Sequence, residues 1–209
     1  MYKVFFNDKF VLLTDKYEID ILDKGVLYFR YEDFEEIHFV IDLLQESPYV
    51  HAVVIHDKDL DLLWADFRSH FKEIDAAGGL VSNSNNELLL IHRNGIWDLP
   101  KGKLETNEQA PEGALREVEE ECGITDLSLT NKITTSYHVY VLKGIKYLKR
   151  TFWYAMSSNQ TEFTPQGEEG IDEVKWVKIS DLDWKRYPTY ASIKEVVLGY
   201  LEPTSIDPL

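Results

Sequence analysis

A single cysteine, Cys122, stands in this 209-residue chain. An internal disulfide is therefore excluded, no Cys/His set has zinc spacing, and a reducing compartment is expected. Basic residues are also scarce. Twenty-two Lys and Arg against 37 Asp and Glu leave a net charge of −15, a field that repels nucleic-acid backbones and anionic membranes. Any anionic ligand must be drawn in locally, by metal ions or by a few placed cations. Long apolar runs are missing as well. The opening MYKVFFNDKFVLL is broken by Asn7, Asp8 and Lys9, too soon for a signal peptide or a membrane span. A soluble, cytoplasmic protein is the expectation, with no membrane partner and no bulk nucleic-acid binding. Internal repeats and low-complexity tracts are absent. What is present suffices for a packed core, since 44% of residues are hydrophobic and 13% aromatic, the balance of a folded globular protein rather than a disordered one.

Two domains fit the pattern along the chain. Residues 2–14 resemble a hairpin turning at Asn7-Asp8-Lys9, followed by a strand over 25–31. The spacing of Phe34, Ile37, Val40, Ile41 and Leu44 predicts a helix over 33–45 that Ser47-Pro48 stops. A buried strand over 49–55 and a second helix over 60–74 complete a small α/β module, residues 1–74. At Asp75-Ala76-Ala77-Gly78-Gly79 the composition turns small, which suggests a short flexible joint. Residues 75–209 then read as a second domain. It has strands at 80–81 and 87–92 around a turn at 82–86, a loop-rich stretch over 97–105, and a helix over 111–122. A hairpin over 133–142 and 147–156, a polar loop over 164–170, a strand over 173–178 and a closing helix over 193–200 follow.

The helix over 111–122 is the informative one. Four of the five residues from 117 to 121 are glutamate, and like charges three or four apart on a helix repel by a few tenths of a kcal/mol per pair. On a helical wheel Leu115, Val118 and Cys122 make a packing side, with Ala114 beside them. Glu117, Glu120 and Glu121 are expected together on another side, within reach of one ion. Such carboxylates are hard oxygen donors suited to Mg²⁺ or Mn²⁺, which would cancel the repulsion. Arg116 can pair with Glu120 or orient a neighbour. The alternative is a solvated acidic face.

From Gly102 the stretch GKLETNEQAPEGALREVEEECGI fits G-x5-E-x7-R-E-U-x-E-E-x-G-U at Gly102, Glu108, Arg116, Glu117, Val118, Glu120, Glu121, Gly123 and Ile124, with U an aliphatic residue. It resembles the signature of the Nudix hydrolases. A chance fit in a chain this long has a probability on the order of 10⁻⁷, so a merely solvated charge run does not account for it. The resemblance covers about residues 76–201 and leaves the first module unexplained. It implies an α/β/α sandwich with a mixed sheet and cleavage of a nucleoside diphosphate linked to another moiety. Glu117, Glu120 and Glu121 occupy the metal-binding positions, with the backbone carbonyl of Lys101 where the family often adds a ligand. Gly102, Glu108, Arg116 and Gly123 occupy the bracing positions. The general base varies in the family; Glu120 is the favoured candidate here, with Glu168 and Glu169 of the loop TPQGEEG as rivals.

Flanking residues bear on substrate. The run GIWDLPKGKLE, residues 95–105, resembles the diadenosine polyphosphate and diphosphoinositol polyphosphate hydrolases, and Lys101 and Lys103 could meet phosphate oxygens. Tyr140 lies where a tyrosine recurs in the dinucleoside tetraphosphate group and could stack on adenine, or simply pack. The hairpin over 140–156 resembles that group too, and its Lys143, Lys146, Lys149 and Arg150 could guide a polyphosphate. A dinucleoside polyphosphate is thus the preferred substrate. Alternatives are a noncanonical nucleoside triphosphate, an RNA 5′ end, or non-catalytic nucleotide sensing. The ADP-ribose and NADH patterns are absent. The first module could shape the cleft, form a homodimer or cap the hydrolase.

Overall fold

A computed structural model describes residues 1–16 and 24–202. The described chain separates into two units, Met1–Ile74 with Tyr137–Lys149, and Asp75–Ser136 with Arg150–Leu209. The sequence reading put all of residues 75–209 in one domain; in the structure the hairpin tip, Tyr137–Lys149, packs with the first unit.

In the first unit β1 (Tyr2–Phe6) and β2 (Lys9–Thr14) form the hairpin expected around Asn7, whose φ of 58° is the left-handed conformation that asparagine tolerates in a tight turn. β4 (Ala52–His56) runs parallel between β2 and β3 (Val26–Arg30). Helix α1 (Phe34–Glu46) supplies the crossover from β3 to β4, as a parallel pair requires. Asp33 caps it by accepting from the Glu36 N–H at 3.1 Å. At its other end the Lys9 ammonium donates to the carbonyls of Leu44 and Ser47, both at 2.6 Å, where the helix leaves carbonyls unpaired. Ile37, Val40, Ile41 and Leu44 of α1, with Leu63 and Phe67 of α2 (Leu60–Ser69), pack on Val4, Phe6, Val11, Leu13, Val53 and Ile55.

Two expectations fail at the start of the second unit. The apolar spacing of Phe67, Phe71 and Ile74 mimics a helical stripe, yet α2 ends at Ser69 and Lys72–Ser82 is a strand, β5. Sheet pairing overrides the local period. The small residues 76–79, read as a flexible joint, lie inside that strand. They are small because neighbours come close: a Cβ on Gly78 would strike the Pro100 carbonyl and Lys101, and one on Gly79 would strike Met156 and Val118.

The sheet of the second unit runs β11 (Ile171–Lys178), β6 (Glu87–Arg93), β5, β10 (Ile145–Ser157), β9 (Ser128–Leu142). The stretch over 97–105, expected as loop, contains two short strands. β7 (Ile96–Asp98) pairs with β6, and β8 (Lys101–Lys103) pairs with β5. Alternation along β6 divides the core. Leu89 and Ile91 pack with Ala114, Val118 and Cys122 of α3 (Ala110–Cys122), whereas Leu88 and Leu90 pack with Ile193, Val196 and Val197 of α4 (Ala191–Leu201). A helix on each face of a mixed sheet is the α/β/α sandwich expected. Among the described residues no helix is long and apolar enough to cross a membrane.

Candidate metal and phosphate site

α3 forms because its ends and one stripe are provided for. Pro111 sits in the first turn, where a missing N–H costs nothing. Gly123 closes the other end at φ 68°, its N–H donating to Glu119 O at 2.8 Å. Ala114, Val118 and Cys122, four residues apart, are buried against the sheet.

Around the first half of α3 a single guanidinium organises four acceptors. Arg116 donates through Nε and Nη2 to the two carboxylate oxygens of Glu108, at 2.7 and 2.8 Å. Its Nη1 donates to Glu117 Oε1 and to Glu120 Oε2, each at 2.9 Å, and Nη2 reaches the Lys103 carbonyl at 3.1 Å. The paired Arg116 holds the Glu108 carboxyl down at about 2, while Arg116 itself is held well above its ordinary value, chiefly by Glu108. Glu108 also accepts the Glu105 N–H at 2.8 Å, so it ties the loop before the helix to the helix. Two glycines here, Gly102 of the motif and Gly113 on α3, make room for carboxylates. A Cβ on Gly102 would collide with the Glu117 carboxylate, and one on Gly113 with Leu104 and Glu108.

Glu121 stands apart from its two companions. The wheel placed all three on one side, but Glu121 is 1% exposed, and the Glu120 side chain is 50% exposed. Position 121 is three residues from Val118 and seven from Ala114, on the border of the buried stripe, which the same periodicity could have revealed. Inside, one oxygen accepts the Lys101 backbone N–H at 2.9 Å and the other accepts from Arg93 Nη1 at 3.2 Å. Burial pushes its carboxyl up to about 7, against the pull of Lys101 and Arg93. Burial also raises the neighbouring Cys122 thiol above its ordinary range, leaving it un-ionised and inert.

Arg93 is the site residue the sequence reading missed. It follows Leu89 and Ile91 at period two on β6, so strand alternation alone would have aimed it at α3. Its Nη2 meets Glu169 Oε2 at 2.5 Å, on the short turn Gly167–Glu169. Glu168 is exposed on the same turn.

The remaining sequence candidates scatter. Lys101 Nζ is engaged by Asp98 and by the Leu99 carbonyl at 3.4 Å, and Lys103 is exposed at the end of β8. Arg150 makes a two-pronged pair with Asp75, at 2.8 and 2.7 Å. Tyr140 belongs to the first unit, stacked on Tyr147 with centroids 5.5 Å apart. Of the hairpin cations, Lys146 pairs with Asp42 at 3.3 Å, also within that unit. The structure therefore brings Arg116, Glu117, Glu120, Glu108 and Gly102 together, sets Glu121, Lys101 N, Arg93 and Glu169 beside them, and places Tyr140, Lys143, Lys146 and Lys149 in the first unit, with Arg150 of the same hairpin in the second.

Among the described residues no three His, Cys, Asp or Glu side chains converge into a ready ligand set. The donors nevertheless fit a hard divalent ion. Glu117 and Glu120 already share one positive nitrogen between them at equal distances, and both offer carboxylate oxygens.

The NUDIX domain model matches residues 72–198. An 8-oxo-(d)GTP phosphatase of Mycolicibacterium smegmatis is 30% identical over 161 residues, which are 75% of this chain and 44% of that protein. An 8-oxo-dGTP diphosphatase of Escherichia coli is 26% identical over 125 residues, 56% of this chain and 89% of the other. An Ap4A hydrolase of C. elegans overlays with a TM-score of 0.47 at 20% identity, covering 61% of this chain and 95% of that one. The chain spans less than two thirds of the length of several curated relatives it matches, 44% and 64% for two of them. With the domain model matched over more than half of the chain, on the helix and loops described above, the chain belongs to the Nudix family.

Proposed function

We propose that residues 75–209 carry a divalent-metal-dependent pyrophosphohydrolase acting on a nucleoside diphosphate linked to another moiety. The observation that carries this reading is the Arg116 fork, which holds Glu117 and Glu120 side by side at 2.9 Å each while Glu108 braces it from behind. Glu117, Glu120 and Glu121 would hold Mg²⁺ or Mn²⁺. When bound, the ion neutralises phosphate charge and acidifies a water. The chain's own groups do the rest. Glu120, half exposed, accepts the proton of the attacking water; Glu168 and Glu169 are the rival acceptors on the neighbouring loop. Arg116 fixes the carboxylates in position, and the structure of the loop over 101–108 keeps Gly102 beneath Glu117. Lys101 and Lys103 are the nearest candidates to meet substrate phosphate.

The names of the two curated relatives support an oxidised guanine nucleoside triphosphate as substrate. The residues 95–105, GIWDLPKGKLE, support the second reading, a dinucleoside polyphosphate such as diadenosine tetraphosphate. The placement of Tyr140 in the first unit lends that second reading no help. The deciding experiment incubates purified protein with Mg²⁺ and a panel of 8-oxo-dGTP, diadenosine tetraphosphate and 5′-capped RNA, with products separated by chromatography. At least one is expected to be cleaved, and Glu120→Gln should slow that reaction by about 10²-fold or more. A folded parent protein that cleaves none of them, or a Gln variant as fast as the parent, would overturn the assignment.

A further inference from the structure

The loop over 158–170 is strapped to the C-terminal end of α3 at several points. Thr164 N–H donates to Cys122 O at 3.0 Å, Gln166 N–H to Glu121 O at 3.1 Å, and Gln160 Nε2 to Gly123 O at 2.8 Å. Gly123 is so closely covered that a Cβ there would strike Thr164. These bonds hold the base of the loop through two backbone N–H groups and the Gln160 amide, and none of them engages the carboxylates at its tip. That task falls to one side chain. Arg93 sits 28% exposed between Glu121, whose side chain is 2% exposed, and Glu169, at 52%. Its Nη1 and Nη2 each donate to one of the two carboxylates, from the end of β6, where the next residue's N–H, that of Asn94, donates to the Gly170 carbonyl at 3.1 Å. A planar guanidinium can serve two acceptors at once, whereas an ammonium on a flexible stem is a point charge.

We propose that Arg93 is a positioning residue that couples the loop acid Glu169 to the buried Glu121, presenting the tip of the 167–169 turn at the acidic end of α3. The inference deepens the proposed hydrolase reading and rests on it for its effect on rate. Its structural half stands alone. Glu121 lies at the core border with one oxygen on a backbone N–H, so its carboxylate cannot follow the loop; the loop must come to it. Without the guanidinium, two carboxylates face each other across the gap, and the exposed one swings to solvent.

Four proteins test this: the parent, Arg93→Lys, Glu169→Gln and the double variant Arg93→Lys/Glu169→Gln, full chain throughout. Hydrogen exchange is read first, in the presence of chelator, so that catalysis plays no part. Amides of residues 166–170 should exchange about tenfold faster in Arg93→Lys and in Glu169→Gln, with the double variant no faster than either single one, because both changes break one link. Activity is read second, on whichever nucleotide the parent cleaves with Mg²⁺. Each single variant should lose about tenfold in kcat with KM within about threefold, and the double variant should be no slower than the slower single one. Exchange unchanged in both single variants, or exchange and rate losses that multiply in the double variant, would overturn the coupling. Should the parent cleave no nucleotide, the hydrolase reading fails while the exchange data still decide the link between Arg93 and the loop.

Discussion

Glu121→Gln in the chelator-treated protein isolates the cost of keeping an acid inside the sandwich. Burial lifts the Glu121 carboxyl from an ordinary 4.5 to about 7. In the unfolded chain it ionises near its ordinary value, so between these limits the folded state holds the proton more tightly. Stability from this group is therefore fully present below about pH 4.5, falls as pH rises toward 7, and is flat beyond. At about 1.4 kcal/mol per pH unit the full loss is about 3 kcal/mol. Glutamine keeps the shape and an acceptor for the Lys101 N–H but never ionises. Urea unfolding followed by tryptophan fluorescence suits the measurement, because four of the five tryptophans, Trp97, Trp153, Trp176 and Trp184, lie in the second unit, and Trp64→Phe removes the fifth from parent and variant alike. The difference in stability, variant minus parent, should climb by about 3 kcal/mol from pH 4.5 to pH 8. Adding Mg²⁺ at pH 8 should then favour the parent over the variant, since an ion bound only to the folded state stabilises it, by about 2.7 kcal/mol at a hundred times its Kd. A difference that stays flat across pH, within about 1 kcal/mol, would refute the placement of Glu121 as a buried, destabilised acid.

Two further outcomes follow from the bracing and the packing. Arg116→Lys retains a charge but loses the fork on Glu108 and the shared donor to Glu117 and Glu120, and should cost about 1.5–3 kcal/mol in the same unfolding assay. Because Glu108 is held at about 2, its contribution is present above pH 4.5 and is lost as pH falls toward 2. The pair is partly solvated, so the parent's advantage over Arg116→Lys should narrow by only about 1 kcal/mol on acidification, and an advantage independent of pH would count against the pairing. Gly78→Ala sets a methyl against the Pro100 carbonyl inside the sheet and should lower stability by about 1–3 kcal/mol; a change below about 0.5 kcal/mol would show that the strands part easily there.

Local rules carried far where a residue's neighbours in sequence are also its neighbours in space. The Asn7 turn and the apolar stripes of α1 and α3 depend on residues within one or two turns of each other, so their spacing in the chain states them outright. The same holds for Arg116 with its neighbour Glu117 and with Glu120 one turn on along α3. Reading failed where distant chain segments meet. Over residues 72–79 the local pattern suggests a helix end and a joint, whereas the chain there is a strand whose glycines admit Pro100, Met156 and Val118. The wheel sets Glu121 on one side with Glu117 and Glu120, within reach of one ion, because it gives directions but not what waits in each direction.

The sequence by itself determined the family and the helix that carries its motif: a fixed spacing of glycine, arginine and glutamate that one helix and its flanking loops can satisfy with local geometry. It also determined that the chain is acidic enough to need a local source of positive charge. Only the tertiary structure decided how completely Glu121, at the border of the apolar stripe, is enclosed, that Arg93 from a strand 28 residues earlier bonds both it and the loop acid, and that Tyr140 belongs to the other unit. The physical reason is range. Helical periodicity and caps act within a few residues, whereas burial, and the ionisation it shifts, depend on everything that closes around a side chain once the sheet has formed.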